Sequence, residues 1–189
     1  MANTQMVLLG VVMVLFVFFL FLGIWASRYR KVGPNQVLIV SGRLRQLPDG
    51  TRVGYRMVKG GGTFVFPIYE TADVLSLDVI RVELARKKVN TINGTAIVDC
   101  VAQVNIEGDD TSIASAMKLF LGKNPAEIKN VITPVLEKYL NAVLSKGDLQ
   151  AIERNPAKYA SDLEAAIKDD LGKLGLAVIS LSLQNVKAG

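Results

Sequence analysis

The chain opens with a long apolar run, Met6 to Trp25, which reads MVLLGVVMVLFVFFLFLGIW. Fifteen of its twenty residues are Leu, Ile, Val or Phe. At about 1.5 Å per residue, such a helix spans roughly 30 Å, the thickness of a hydrocarbon core. The pattern therefore predicts a transmembrane anchor over residues 1–27. The side chains expected to contact lipid along it are Met6, Leu9, Val12, Leu15, Phe18, Phe21 and Trp25.

A cleaved signal peptide is the competing interpretation of this run. It would require a basic stretch before a shorter apolar core. Here the leading MANTQ is uncharged, and the basic residues Arg28, Arg30 and Lys31 come after the run. Because excess Lys and Arg stay in the cytoplasm, the sequence predicts a single-pass protein of the plasma membrane, with its N-terminus outside and its body cytoplasmic.

Apolar alternation and β-branched residues predict strands between Gly33 and Ile106. Asn93-Gly94 separates two of them and predicts a tight hairpin turn. In the arm before that turn, the apolar face changes sides near Val79-Ile80, which predicts a bulge or a bend.

After Glu107 the apolar spacing becomes helical. Three helices are predicted, and their N-terminal signals are Asp109 and Asp110, Asn124-Pro125, and Asn155-Pro156. Pro134 lies inside the second helix, so either that helix kinks or Thr133 caps a new segment.

The last predicted element is a half-buried strand with Ala177, Ile179, Leu181 and Leu183 on one face. The chain is therefore predicted to be an α+β protein. Its soluble part divides into a membrane-proximal β-rich subdomain, residues 28–108, and a subdomain of helices plus a strand, residues 109–189.

The positive charge is concentrated beside the anchor. Eight basic residues and one acidic residue, Asp49, lie between Arg28 and Lys59, in a chain whose net charge is +5. Basic residues near an anionic leaflet contribute roughly 1 kcal/mol each. Arg28, Arg30 and Lys31 are the predicted headgroup contacts. Nucleic acid is the rival partner, but no recognised nucleic-acid module accompanies these residues, so no nucleic-acid binding is expected.

The composition removes much catalytic chemistry. The chain has one cysteine and no histidine, which leaves no Cys/His metal cluster, no Ser-His pair and no internal disulfide. Cys100 falls on the apolar face of a predicted strand, as a small core residue does. We expect no catalytic residue, metal or cofactor, and an enzyme would have to rely on Asp99 or on the glycine-rich segment below.

The segment KGGGTFVFP, residues 59–67, admits three interpretations. A phosphate-binding loop would need a lysine and a hydroxyl together after the glycines, or a helix that follows them. Here the lysine precedes the glycines and a strand-like TFVFP follows them. The glycines can instead form a positive-φ turn or bulge between strands. The apolar residues after them either join the core or dip into the membrane interface. The membrane-dipping candidates are Phe64, Phe66, Ile68 and Tyr69.

Five fragments, taken in order, resemble the flotillin branch of the stomatin–prohibitin–flotillin (SPFH, or band 7) family, as found in bacterial flotillin-like proteins. They are VGPNQVLIVSG, KGGGTFVFPIYETADVLSL, NGTAIVDCVAQVNI, KLFLGK and LGLAVISLSLQNV. The resemblance covers about residues 32–186.

The resemblance implies an SPFH domain of two subdomains on the cytoplasmic leaflet. It implies ring- or cage-like homo-oligomers that organise a membrane microdomain, or lipid raft, with an NfeD-like membrane protein as a further partner. The family continues into a long Ala/Glu-rich coiled coil, whereas this sequence stops at Gly189. Either the sequence is truncated there, or the protein assembles without that element.

The sequence thus favours a self-assembling membrane-anchored scaffold. The alternative is a binding or regulatory module for one membrane partner, such as a protease or an NfeD-like protein.

Overall fold

The computed structural model describes residues 2–46, 50 and 52–188, without the side chains of residues 2–8 and 45. In chain order its elements are α1 (Ala2–Ala26), β1 (Tyr29–Gln46), β2 (Arg52–Phe64), β3 (Thr71–Ser76), β4 (Ile80–Thr91), β5 (Gly94–Ile106), α2 (Asp110–Phe120), α3 (Pro125–Leu144), α4 (Leu149–Arg154), α5 (Pro156–Lys173) and β6 (Leu176–Ala188). They form two compact units, Met1–Val74 and Leu75–Gly189. The predicted α+β class is confirmed.

The apolar run forms the predicted helix, α1. Every described side chain from Leu9 to Ala26 is exposed. By length and composition, Leu9–Ala26 is long and apolar enough to cross a membrane. Met6 lies in the same helix, but its side chain is outside the described part.

The first unit contains a three-stranded sheet in the order β2-β1-β3. Its core is small, with Leu38, Val40 and Val65 buried together and Val32 and Val58 packed beside them. The apolar run VLIV in β1 supplies Leu38 and Val40 to this core, and its other two residues, Val37 and Ile39, are also buried.

The second unit contains the sheet β4-β5-β6, in which both strand pairs are antiparallel. Helix α3 packs against β4, and α5 packs against β6. The central strand β5 alternates as predicted, and its apolar face is fully buried at Ala96, Val98, Cys100, Ala102, Val104 and Ile106.

The structure divides the soluble part earlier than the predicted boundary at residues 108 and 109. Strands β4 and β5, assigned from the sequence to the first subdomain, share one sheet with β6 in the second unit. The face change near Val79-Ile80 is therefore a change of sheet, because β3 ends at Ser76 and β4 begins at Ile80. The bulge of this arm lies further on, between Leu84 and Lys87.

The predicted hairpin joins β4 to β5, but its turn lies one residue earlier than Asn93-Gly94. Thr91 pairs with Gly94, so Ile92 and Asn93 occupy the centre of the turn. The N–H of Ile92 donates to the carbonyl of Gly147, and the Asn93 amide donates to Asp148. These bonds to a neighbouring loop hold Ile92 and Asn93 at the centre of the turn, and they override the local preference of Asn-Gly for those two positions.

Helix α3 runs through Pro134 without interruption. The hydroxyl of Thr133 donates to the Lys129 carbonyl at 2.8 Å, four residues back. Thr133 is therefore inside the helix and does not cap a new segment. The predicted caps are present at Asp109, Asn124 and Asn155.

Two residues of the last predicted strand, Ala177 and Ile179, are on the wrong face. Ala177 pairs with Asn105, whose side chain lies on the less buried face of β5. Ile179 was predicted to point inward, yet it is 49% exposed. A register shift between Gln103 and Val104 of β5 interrupts the pairing with β6 at this position. Because an irregularity of one residue reverses the faces of a strand, the alternation read from the sequence fails here.

Candidate membrane-contact site

The C-terminal end of α1 packs directly on the first sheet. The N–H of Val65 donates to the carbonyl of Arg28 at 3.1 Å. The ring of Phe64 lies 4.9 Å from that of Trp25 and 5.1 Å from that of Tyr29, centroid to centroid. Aromatic pairs at these separations contribute beyond their buried area. The end of the apolar helix is thus joined to the sheet by an aromatic cluster.

The predicted headgroup residues follow α1 at once. Arg28, Arg30 and Lys31 are all exposed. Arg30 and Lys31 belong to β1, where they pair with Thr63 and Gly62 of β2. Their position is therefore set by a sheet. Asp49, the acidic residue of this basic stretch, lies outside the described residues.

Residues 64–69, which we name the aromatic knuckle, turn their large side chains outward. Ile68 is 84% exposed, Tyr69 71% and Phe66 51%, while Val65 between them is buried in the core. Phe64, at 36%, is covered partly by Trp25 and Tyr29. Core burial is thus wrong for Phe66, Ile68 and Tyr69, which form an exposed apolar patch.

A buried carboxylate holds the knuckle in shape. Glu70 is 6% exposed, and its Oε2 accepts from the N–H of Phe66 at 3.3 Å and from the Arg56 guanidinium at 3.4 Å. Arg56 also donates to the Phe64 carbonyl and to the Thr63 hydroxyl, at 2.7 Å each. Two further bonds, from the N–H groups of Tyr69 and Glu70 to the Phe66 carbonyl, close the turn.

Neither Arg56 nor Glu70 was identified as a functional residue from the sequence. A signal was available, because Glu70 is the one acidic residue between Gly50 and Ala72 and it directly follows an apolar burst. A carboxylate in that setting needs a buried partner.

Gly42 fits closely under the knuckle. It has φ +127°, and a Cβ atom there would collide with the carbonyl oxygen of Tyr69. Only glycine allows this approach of two backbones. Together with the Glu70 bonds, the close packing fixes the direction in which the knuckle projects.

The three glycines of KGGG lie in strand β2. Gly60 and Gly61 have φ near +73° and +72°. Opposite them, Val32 pairs with Gly61 and Val37 with Lys59, so residues 33–36 of β1 lie opposite Gly60 alone and bulge out. The glycines therefore form a bulge between strands, as the structural interpretation predicted, and do not open a helix around a phosphate.

The two side chains that an enzyme could use, Asp99 and Cys100, have structural roles. Asp99 accepts hydrogen bonds from the N–H of Arg86 and from the amide of Asn185, which lower its pKa. Burial raises the pKa of the Cys100 thiol to about 11, which disfavours the reactive thiolate. Within the described residues, no cluster of three or more His, Cys, Asp or Glu could hold a metal.

The second unit carries a cleft of about 660 Å³ between α5 and the start of β6. Its lining mixes both charges with apolar residues, among them Glu107, Glu164, Lys168, Asp169, Lys173 and Leu176. Near it, Asp170 accepts from the Tyr139 hydroxyl at 2.5 Å and from the Lys173 ammonium at 2.8 Å. These bonds lower the pKa of Asp170 and raise that of Lys173.

Comparison with known proteins gives a consistent match. The SPFH domain / Band 7 family matches residues 30–189. Flotillin-like protein FloT of Bacillus subtilis is 28% identical over 191 aligned residues, which cover 97% of this chain and 37% of that protein. Flotillin-1 of Homo sapiens and of Mus musculus are each 31% identical over 156 residues, covering 82% of this chain and 35% of theirs. The chain thus spans little more than a third of the length of these curated relatives.

Proposed function

Because the chain belongs to the SPFH domain / band 7 family, in its flotillin branch, we propose that it is a membrane-anchored scaffold. In this proposal it assembles through its SPFH domain into high-order homo-oligomers that organise a membrane microdomain. The family relationship and the exposed apolar helix support membrane association. The proposed function requires no catalytic residue.

One observation carries the proposal. A fully exposed apolar helix ends on a rigid sheet whose nearest side chains are basic and aromatic, namely Arg28, Arg30, Lys31 and the aromatic knuckle. The hydrocarbon core favours an apolar helix, and the headgroup interface beside it favours both cations and aromatic side chains. Each part thus meets the layer that favours it.

In the proposed mechanism, α1 spans the plasma membrane once and the basic residues contact anionic headgroups of the cytoplasmic leaflet. The knuckle residues Phe64, Phe66, Ile68 and Tyr69 dip into the interface beside the anchor. Confinement to two dimensions raises the effective concentration of neighbouring domains, so weak lateral contacts suffice for assembly.

Cross-linking in native membranes tests self-assembly. A lysine-reactive linker should produce a ladder of high-order species, and dilution of the protein in excess lipid before linking should shorten that ladder. The scaffold would be refuted if the protein at native expression gave only monomers under conditions that cross-link a known oligomer in the same membrane.

Single-cysteine labelling tests the orientation. An impermeant maleimide should label Asn3→Cys in intact cells, whereas Lys123→Cys, on an exposed loop of the second unit, should be labelled only after lysis. The reverse pattern would place the SPFH domain outside and refute the cytoplasmic assignment.

The mixed-charge cleft of the second unit favours a second candidate, a binding module for one membrane partner such as a protease or an NfeD-like protein. Its lining offers salt bridges and apolar contact together. In this case Lys168→Glu should abolish co-purification of a stoichiometric partner and leave the cross-linked ladder intact. Loss of the ladder with no change in co-purified protein would favour self-assembly at this cleft.

A further inference from the structure

A separate cleft of about 380 Å³ opens in the first unit, where α1 meets the sheet. Its charged lining consists of Arg28, Arg30, Glu70 and Asp73. The volume falls in the range of small-molecule sites. Unlike the surrounding basic surface, the cleft presents both signs of charge.

Only part of that charge is already paired. Glu70 is buried and bonded to Arg56. Within the described residues, the side chains of Arg28, Arg30 and Asp73 form no ion pair or hydrogen bond. The cleft therefore offers two uncommitted guanidinium groups and one uncommitted carboxylate.

The position of the cleft restricts its ligand. Ser27 and Arg28, both in the lining, directly follow the last residue of α1. The apolar segment Leu9–Ala26 has 18 residues, which at about 1.5 Å each give roughly the thickness of a hydrocarbon core. When α1 spans a bilayer, the cleft lies at the depth of the lipid headgroups.

We propose that the cleft binds the headgroup of a phospholipid that carries both a phosphate and a primary ammonium, as phosphatidylethanolamine does. The proposal rests on the membrane placement proposed above. Arg28 and Arg30 contact the phosphate, for which guanidinium is well suited. The Asp73 carboxylate accepts from the ammonium, whose N–H groups are donors.

The alternatives fit less well. Phosphatidylglycerol would place the same phosphate against the guanidinium groups, but it offers Asp73 only neutral hydroxyl donors, and its net negative charge is left without an ammonium to balance it. A choline headgroup has the positive charge but no N–H to donate. The combination of charges thus discriminates among lipids that all carry the same phosphate.

Native mass spectrometry of the full chain tests this proposal. The protein is presented with equimolar phosphatidylethanolamine, phosphatidylcholine and phosphatidylglycerol of identical acyl chains. Phosphatidylethanolamine should be retained at least about tenfold over phosphatidylcholine, the gain from one net charge-assisted hydrogen bond. Glycerophosphoethanolamine, which has the headgroup and no acyl chains, should not displace it at equal concentration.

Substitutions separate the two parts of the site. Asp73→Asn should abolish the preference for phosphatidylethanolamine over phosphatidylcholine and increase retention of phosphatidylglycerol. Arg30→Gln should weaken all three lipids. Arg43→Gln is the matched control, because it removes the same charge from an exposed residue of the same strand that is outside the lining, and should leave the preference unchanged. Circular dichroism checks that each variant is folded.

Equal retention of the ethanolamine and choline lipids would overturn the proposal, as would an unchanged preference in Asp73→Asn. If glycerophosphoethanolamine displaced the bound phosphatidylethanolamine, the cleft would bind the free headgroup compound and not specifically the membrane lipid, and that part of the proposal would be wrong. If the chain cross-links in membranes yet shows no headgroup preference, the scaffold stands and only the cleft is reassigned. If it fails to enter bilayers at all, the proposed function itself fails.

Discussion

The carboxylate of Asp99 on β5 accepts a hydrogen bond from the side-chain amide of Asn185 on β6, at 2.8 Å. Its other oxygen accepts from the N–H of Arg86 on β4, at 2.6 Å. Arg86 and Asn185 have φ of 52° and 49°, a conformation that costs non-glycine residues energy. The pairing on both sides of Asp99 is irregular at these positions. One side chain therefore stabilises a bulge on each neighbouring strand.

Asp99→Ala is expected to lower the melting temperature of the second unit, because both bulges lose their hydrogen-bond acceptor. The exposed Asp162→Ala, on the surface of α5, is the control and should change it little. Thermal unfolding followed by circular dichroism measures both. A catalytic role for Asp99 would instead leave the melting temperature unchanged.

The contribution of Asp99 should depend on pH in a defined direction. Its hydrogen bonds lower its pKa in the folded state, whereas in the unfolded chain the pKa is about 3.9. The stabilisation is therefore present above that value and is lost as the pH falls through the lower folded pKa. The difference in unfolding free energy between wild type and Asp99→Ala should be constant from pH 7 to about 5 and shrink below about pH 4.

Glu70→Ala is expected to destabilise the first unit by about 2 kcal/mol, because it leaves the Arg56 guanidinium and the Phe66 N–H without their partner. Glu70→Gln, which retains an acceptor, should cost less. Chemical denaturation in detergent gives the unfolding free energy. The exposed Glu153→Ala is the control, and an equal effect of the two Ala variants would refute the role assigned to Glu70.

A tryptophan in place of Phe66 should report membrane dipping. The chain has a single tryptophan, so Phe66→Trp in a Trp25→Phe background gives a signal from the knuckle alone. In bilayers with brominated lipids we expect quenching at shallow depth, because the 51% exposed Phe66 side chain would lie in the interface. Ile179→Trp in the same background tests a site on the second unit. An unquenched Phe66→Trp would show that the knuckle stays in water.

The thiol of Cys100 should resist modification. It is 1% exposed, and burial raises its pKa to about 11. A maleimide at pH 7.5 should label it only as the second unit unfolds, since the thiolate is the nucleophile. An added Lys123→Cys should react at once in the same protein. Equal labelling rates for the two thiols in native conditions would contradict the core assignment.

Pro134→Ala is expected to raise the stability of the second unit by about 1–3 kcal/mol. Proline within a helix removes one N–H donor and crowds the preceding turn, and Pro134 is exposed, so no core contact is lost. Urea denaturation measures the gain. A loss of stability would show that the domain depends on the helix geometry that the proline imposes.

Local patterns in the sequence were sufficient where one residue type decided the structure. The alternation from Ala96 to Ile106 gave every buried residue of β5, and Asn124 and Asn155 marked helix starts because their side chains bond the first free N–H groups. The apolar residues from Leu9 to Trp25 likewise predicted the helix α1.

Contacts between distant residues decided what the sequence could not. Strand β5 pairs with β4 on one side and with β6 on the other, and β5 ends at Ile106 whereas β6 begins only at Leu176. The boundary between units is therefore not readable along the chain. Ile179 depends on a register shift against β5. Arg56 and Glu70 lie 14 residues apart and meet only because the sheet and the knuckle bring them together.

Helix α1 is apolar and uncovered on every side from Leu9 to Ala26. Such a segment has no polar stripe by which one copy could recognise another. In the proposed assembly, recognition between copies therefore depends on the soluble part of the chain, and α1 serves only as a membrane anchor. A foreign transmembrane segment of the same length should therefore support the assembly proposed above, provided that it still ends against the ring of Phe64.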